Sequence, residues 1–473
     1  MKRLLAVVGA AVAAWAVGSG CATEPPRDPP FDEESPLEPG EEFAFGRSIA
    51  ARLSTGVEFV EDAKARAYVA RVGGVVAAAS RRPDPYDGYR FYIVQDPRVS
   101  TFSAPGGFVF VTTGALKALK DEDLGLYLLN MGKPKGGLLI AMHGGGENAG
   151  DAGSAQSIWA GATAQGMTVI APQAIDLVSS AWNQEKQERF VLDLIDAARR
   201  TLDVDPDRVC LAGHSMGGDG SWMLGGRNAD RLAAAAPLAG SVMPYMKQGA
   251  VNRLQTPLSS YEGLQEGVIA NLMHLPLWIH HSADDPNEAI HPDDIATGRL
   301  RTLQERFPGR YEFRYDRVDG NGHALPKGGV KPILQWMAGR TRRAHPDEVV
   351  WETWNPWKER MYWLFSRGHR DSWRFHAKIV APNAVEVTGT TKPLAGRTAP
   401  AEMALTLLLG PELFDLSKPL KVTSGGKVLF EGRVEPSFFA LMASILPRND
   451  PKQWYRAHVD LKVPRLPWKE LWD

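Results

Sequence analysis

The stretch Arg208-Val209-Cys210-Leu211-Ala212-Gly213-His214-Ser215-Met216-Gly217-Gly218 constrains this chain more than any other. Residues 209–212 are apolar and read as a buried strand, and the residues after Ser215 read as the opening of a helix. Gly-x-Ser-x-Gly between the two puts a serine on a sharp strand-to-helix turn. Such a turn strains the serine backbone, and a side chain at position 213 or 217 would crowd the neighbouring strand and helix. The hydroxyl then stands exposed at the end of the strand. The Met216 amide is left free to donate to an oxygen that gains negative charge.

A serine nucleophile needs a base, a group that orients the base, and donors for the developing oxyanion. The sequence supplies them in chain order. Upstream, a buried strand over 137–142 runs into His143-Gly144-Gly145-Gly146, whose backbone amides can turn toward the serine because glycine permits the geometry. His143 itself is expected to be structural. Downstream, a strand over 275–280 leads into His281-Ser282-Ala283-Asp284-Asp285-Pro286. The acid belongs at the carboxyl end of that strand. Asp285, followed by Pro286, is the choice and Asp284 the alternative, the unused aspartate being read as a solvated loop residue. The base is His323, in Gly320-Asn321-Gly322-His323 after a strand over 311–318. His274, His280 and His291 fit less well, because they lie before or around the acid and break the order.

Residues 135–339 resemble the esterase and poly-hydroxybutyrate depolymerase-like branch of the α/β-hydrolases, close to the dienelactone hydrolase and prolyl oligopeptidase group. The residues that carry the resemblance are 143–146, Trp182 with Glu188, Asp205-Pro206-Asp207-Arg208-Val209, 213–218 with Gly220 and Trp222, and His323. The resemblance implies an α/β-hydrolase doubly wound sheet and hydrolysis of an acyl ester through an acyl-enzyme. Ser215 would attack, His323 would take its proton, and Asp285 would hold the imidazolium. The Met216 amide and an amide of Gly144, Gly145 or Gly146 would bind the oxyanion. The substrate would be a small-molecule or polymeric ester, with no cofactor and no metal. The same triad also serves serine peptidases of the prolyl oligopeptidase type. A reading from another class is a non-catalytic envelope lipoprotein built on degenerate enzyme domains. One departure stands out: such hydrolases normally place one or two antiparallel strands before the oxyanion strand, and only 126–130 is available here.

The chain begins with Lys2, Arg3, an apolar run over 4–17 and Gly18-Ser19-Gly20-Cys21. This reads as a secretory signal over 1–21, too short to span a membrane comfortably. The last residues resemble a lipobox, with Gly18 where an aliphatic residue is usual, which would make Cys21 a lipidated N-terminus. A plain cleaved signal peptide is the alternative. Residues 22–39 read as a disordered Pro/Glu/Asp tether. Together these place the protein in the cell envelope or periplasm, held to the membrane through a lipid at Cys21.

Residues 40–125 are expected to hold one helical stretch over 40–79, strands over 89–95 and 108–112, and a helix over 114–119. They resemble the start of an M48-type zinc metallopeptidase through Val99-Ser100-Thr101-Phe102-Ser103-Ala104-Pro105-Gly106-Gly107, then 108–114, Leu116 and Asp121-Glu122-Asp123-Leu124. That family carries His-Glu-x-x-His on the next helix, and the sequence contains none. The resemblance therefore implies a peptidase fragment without its metal site. The hydrolase-like part is expected over 126–343, and a β-sandwich-like domain over 344–473. The 54 basic and 55 acidic residues leave a net charge of −1, so no field of one sign draws the chain to nucleic acid. Only Cys21 and Cys210 are available as thiols, which makes no disulfide framework, and Cys210 is expected to be a buried core thiol.

Overall fold

A computed structural model describes residues 38–54, 57–78, 85–96, 101–118, 127–145, 149–178, 181–246, 261–355, 357–367, 371–393, 398–445, 448 and 450–472. Cys21 and Gly146 lie outside the described residues. The chain forms two compact units, Met1–Gly125 and Leu126–Asp473. Among the described residues no helix is long and apolar enough to cross a membrane.

The first unit contains helices α1 (Pro39–Ser54) and α2 (Ala63–Ala78), strands β1 (Arg90–Val94), β2 (Thr101–Ala104) and β3 (Phe108–Thr112), and helix α3 (Thr113–Ala118). The single helical stretch expected over 40–79 is broken in two. Between the helices Phe59 bridges to Val94, and the Val60 amide donates to the Ile93 carbonyl at 2.9 Å. Pairing to the sheet thus overrides local helical preference. The strands lie in the order β1-β3-β2, with β1 parallel and β2 antiparallel to β3. Phe43, Phe59, Tyr92, Phe108 and Phe110 pack together beneath them.

The second unit opens with a seven-stranded sheet. Its strands are β4 (Tyr127–Asn130), β5 (Gly136–Met142), β6 (Thr168–Pro172), β7 (Val204–His214), β8 (Ala234–Leu238), β11 (Leu277–Ser282) and β12 (Phe313–Val318). A short hairpin, β9 (Pro244–Met246) and β10 (Tyr261–Leu264), leaves it after β8. The order is β12-β11-β8-β7-β5-β6-β4, parallel throughout except for β4, which pairs antiparallel with β6 at the edge. The helices are α4 (Ala152–Trp159), α5 (Glu185–Thr201), α6 (Met216–Arg227), α7 (His291–Arg306) and α8 (Lys331–Ala338).

Alternation along the strands divides the core. Leu139, Ala141, Val169, Ala171, Cys210, Ala212, Ala234 and Ala236 pack with α4 and α8 on one face. The intervening Leu138, Ile140, Met142, Val209 and Leu211 are equally buried and meet α5 and α6 on the other. Both faces being covered, the strands read as unbroken apolar runs. Burial also pushes the Cys210 thiol up to about 12, which leaves it inert. Among these elements the sequence reading lacked β8, β9, β10 and α7.

The remaining strands are β13 (Glu348–Thr353), β14 (Arg360–Met361), β15 (Leu364–Phe365), β16 (Ser372–Ala381), β17 (Ala384–Lys392), β18 (Glu402–Leu409), β19 (Leu420–Ser424), β20 (Lys427–Gly432) and β21 (Ala457–Pro467), with helix α9 (Phe438–Ile445) before the last. Strand β17 forks, pairing with β19 through 384–386 and with β21 through 389–391. The fork bends the sheet over a common core of Trp351, Trp363, Phe375, Val387, Leu407 and Leu461. These strands belong to the same compact unit as the parallel sheet. Buried polar groups join them: Glu352 accepts from the Gly267 amide at 2.9 Å, and Arg342 donates to Asp207 at 2.6 Å and to Asp450 at 3.2 Å.

Candidate active site

Strand β7 delivers Ser215 from the middle of the sheet, and α6 begins at the next residue. Ser215 adopts φ 61° and ψ −127°, in the positive-φ region that residues with a Cβ avoid. Its amide donates to the Leu238 carbonyl of β8 at 2.9 Å, which locks the turn against the neighbouring strand. The turn is tight enough to exclude side chains. A Cβ on Gly213 would sit 2.3 Å from the Gly217 carbonyl carbon, and one on Gly217 would sit 2.2 Å from the Met142 oxygen. As the first residue of α6, Met216 has no intrahelical acceptor for its amide. The positive end of the helix dipole also lies at this point.

The loop after β5 lies against the turn. A Cβ on Gly144 would meet the Ser215 Cβ at 3.2 Å, so this backbone passes directly beside the nucleophile position. Gly145 follows at φ 132°. His143 is buried and fixes this loop. The Ala174 amide donates to its Nε2 at 3.0 Å, so Nδ1 carries the proton and donates to the Gly144 carbonyl at 2.8 Å. The ring thus fixes the Gly144 carbonyl beside it. Trp182 Nε1 donates to the His143 carbonyl at 3.0 Å. Burial lowers the pKa of His143, consistent with a neutral ring that spaces backbone.

The acid and the histidine come from the far side of the sheet. Asp285 lies just past the end of β11 and its side chain is fully buried. His323 Nδ1 donates to Asp285 Oδ2 at 2.7 Å, and Oδ1 of the same carboxylate accepts from the Asn287 and Glu288 amides at 2.8 and 2.9 Å. The His323 ring packs against His214, the residue before Ser215, with ring centroids 4.8 Å apart. This packing brings the imidazole to the elbow. Among the described residues the Ser215 hydroxyl has no hydrogen-bond partner. Contacts of this kind commonly close only when substrate is bound. His214 is held well below the usual range, at about 4, by burial and then by the neighbouring His323, so it stays neutral beside the base.

Asp284 departs from the expectation of a merely solvated residue. Although exposed, its Oδ1 accepts from the amides of Gly320, Asn321 and Gly322 at 3.1, 3.3 and 3.2 Å, and from Ser282 Oγ. The Ser282 hydroxyl and the Gly322 amide hold its carboxyl below the ordinary range. It ties down the loop that carries His323. The three rival histidines stand elsewhere. His274 Nε2 donates to the Glu348 carbonyl at 2.7 Å, His280 is buried within β11, and His291 starts α7.

Sequence reasoning missed one pair behind the acid. His281 Nδ1 lies 2.8 Å from Asp293 Oδ2, and both side chains are fully buried. The two residues sit on different elements, β11 and α7, so no spacing rule could have joined them.

No family model matches the chain. An uncharacterised secreted protein of Arthroderma benhamiae is 30% identical over 128 residues, which are 25% of this chain and 13% of that protein. The chain therefore spans about an eighth of that relative's length. Solved structures similar to the chain are esterases and serine hydrolases. A thermostable esterase matches with a TM-score of 0.33 at 20% identity, over 46% of this chain and 59% of its own. FphF, a fluorophosphonate-binding serine hydrolase of Staphylococcus aureus, matches with a TM-score of 0.31 at 18% identity, over 46% and 99%. A carboxylesterase of Bacillus cereus matches with a TM-score of 0.32 at 14% identity, over 47% and 97%.

Proposed function

We propose that the protein is a serine hydrolase of the α/β-hydrolase type that cleaves carboxylic esters through an acyl-enzyme on Ser215. Ser215 Oγ attacks the ester carbonyl while His323 Nε2 takes its proton. Asp285 steadies the imidazolium through Nδ1. The tetrahedral oxyanion accepts hydrogen bonds from the Met216 amide and from Gly144 or Gly145, with Gly146 next in the same loop. Collapse breaks the ester C–O bond, and His323 returns the proton to the departing alcohol. Water, deprotonated by His323 in turn, then releases the acid and restores Ser215.

One observation carries this reading: His323, paired at 2.7 Å with the buried side chain of Asp285, is packed through His214 against a serine held at φ 61°. A fluorophosphonate probe is expected to label the wild-type protein and not Ser215→Ala. Short p-nitrophenyl esters should be turned over, with a loss of about 10⁴-fold or more in kcat on that substitution. Equal labelling of both proteins would sink the proposal. Turnover of peptide amides in preference to esters would move it to the peptidase class.

We further propose that residues 1–21 direct export and that Cys21 carries a lipid anchor to the envelope membrane. The likeness to a secreted protein supports export. Metabolic labelling with palmitate is expected in the wild type and lost in Cys21→Ser. A wild type that takes up no palmitate would leave only a cleaved signal peptide.

A further inference from the structure

We infer that His281 is a charged positioning residue behind the active site, an imidazolium that bridges Asp285 and Asp293 and balances their charges. The inference rests on the triad reading above and deepens it. Its first support is what the ring faces. Nδ1 points at Asp293 Oδ2 at 2.8 Å, while Nε2 faces the Glu288 carbonyl at 3.2 Å and Asp285 Oδ2 at 3.5 Å. All three atoms are acceptors when both carboxyls are ionised. A neutral imidazole donates from one nitrogen only, whereas an imidazolium donates from both.

The second support is charge. Asp285, His281 and Asp293 are all fully buried at the side chain, where an unpaired carboxylate is costly. With His281 protonated, the three carry one net negative charge; with His281 neutral they carry two. The other groups around the cluster do not supply the balance. Asp294 of α7 is already satisfied by Tyr315 and Arg317 of β12, at 2.9 and 3.2 Å. His280, beside His281 on β11, has its pKa lowered by burial, and Trp222 of α6 abuts Asp293 without charge. Burial by itself works against a charged His281, but the hydrogen bond and charge of Asp293, with Asp285 adding, raise its pKa above the ordinary value. Burial lifts the Asp293 carboxyl as well, so the site of the shared proton is the point to measure.

The functional consequence follows from position. His281 Nε2 and His323 Nδ1 face the same oxygen of Asp285, Oδ2, at 3.5 and 2.7 Å. A fixed positive charge there weakens the pull of the carboxylate on the His323 proton, so the base can release it toward neutral pH. His281 also holds the Glu288 segment, whose amide binds Asp285 at 2.9 Å. Removing His281 leaves two buried carboxylates, and His323 should hold its proton more tightly.

The test has two readouts on the full chain. Nitrogen NMR of histidine-labelled wild-type protein, with His281→Asn used to assign the signal, should show both His281 nitrogens protonated at neutral pH. A singly protonated ring, with the proton on Asp293, overturns the inference whether or not the protein is an enzyme. The second readout is the pH dependence of the fluorophosphonate labelling rate. His281→Asn should move its acid limb up by about one pH unit, and Asp293→Asn should move it down. The double variant should fall near the wild type. Slower labelling by folded His281→Asn with an unmoved limb would make the residue merely structural and overturn the charge role. If His281→Asn fails to fold, the Asp293→Asn limb and the wild-type NMR spectrum still decide. If the wild type is not labelled at all, the Ser215 reading fails, and the NMR result stands separately.

Discussion

Ser215 holds a backbone conformation that costs a residue with a Cβ about 1–3 kcal/mol. The surrounding turn over-determines it, through the Leu238 carbonyl on one side and the closely packed Gly213–Gly217 backbone on the other. Ser215→Gly is therefore expected to raise stability by about 1 kcal/mol in urea unfolding while abolishing fluorophosphonate labelling. A destabilised glycine variant would show that the turn is not strained. The serine and its glycines were legible because steric exclusion at a turn acts on neighbours in sequence. Pro286 pointed to Asp285 for a similar local reason. Asp284 is the exposed loop residue expected, but its anchoring role was not legible, because its partners are the amides of Gly320, Asn321 and Gly322, brought to it only by the pairing of β11 with β12.

The loop between β12 and α8 is the element on which the base depends. It contains three glycines at positive φ, Gly320 at 66°, Gly322 at 53° and Gly329 at 67°, and it is anchored by an exposed carboxylate. Asp284→Ala is expected to lower kcat/KM about tenfold by loosening His323. Asp285→Ala should cost about 10⁴-fold, because it removes the group that sets the imidazole tautomer. A larger loss at Asp284 than at Asp285 would exchange their roles. Most helices and strands could be read from apolar runs and their periodicity. Strand β8 could not. Its Ala234-Ala235-Ala236-Pro237-Leu238 has the composition of a helix former, and only burial between β7 and β11 makes it a strand. The short β15 is likewise held by β18, a partner distant in the chain.

At the scale of the second unit, the parallel sheet and the C-terminal strands share a buried ionic network. Arg342 and Arg199 share Asp450, Arg448 pairs with Asp230, and Lys358 lies 3.9 Å from Glu188. Removing one partner from such a network leaves a buried charge unmatched. Asp450→Ala is thus expected to cost about 3–5 kcal/mol, and a chain ending at Arg343 should not fold to a soluble form. A soluble, labelled 1–343 fragment would refute this dependence. Acid should expose the same network. Burial alone would raise the Asp230 carboxyl, but Arg448, Lys358 and Arg360 together outweigh it and bring it to about 2. A depressed carboxyl stabilises the fold above its unfolded value, so this contribution should be lost as pH falls from about 4 toward 2, read as acid unfolding by circular dichroism.

The strained turn at Ser215, the glycine loop after β5, the chain order Ser215, Asp285, His323 and a doubly wound α/β sheet could all be expected from the chain read as a string of residues. All of these rest on local sterics and on the burial pattern along single strands. It took the folded chain to show that Asp284 anchors the His323 loop, that His281 lies between Asp285 and Asp293, and that the C-terminal strands close on the sheet through buried charges. Those contacts join residues from different elements, and electrostatics in a buried site depends on distance through space, which a linear pattern does not carry.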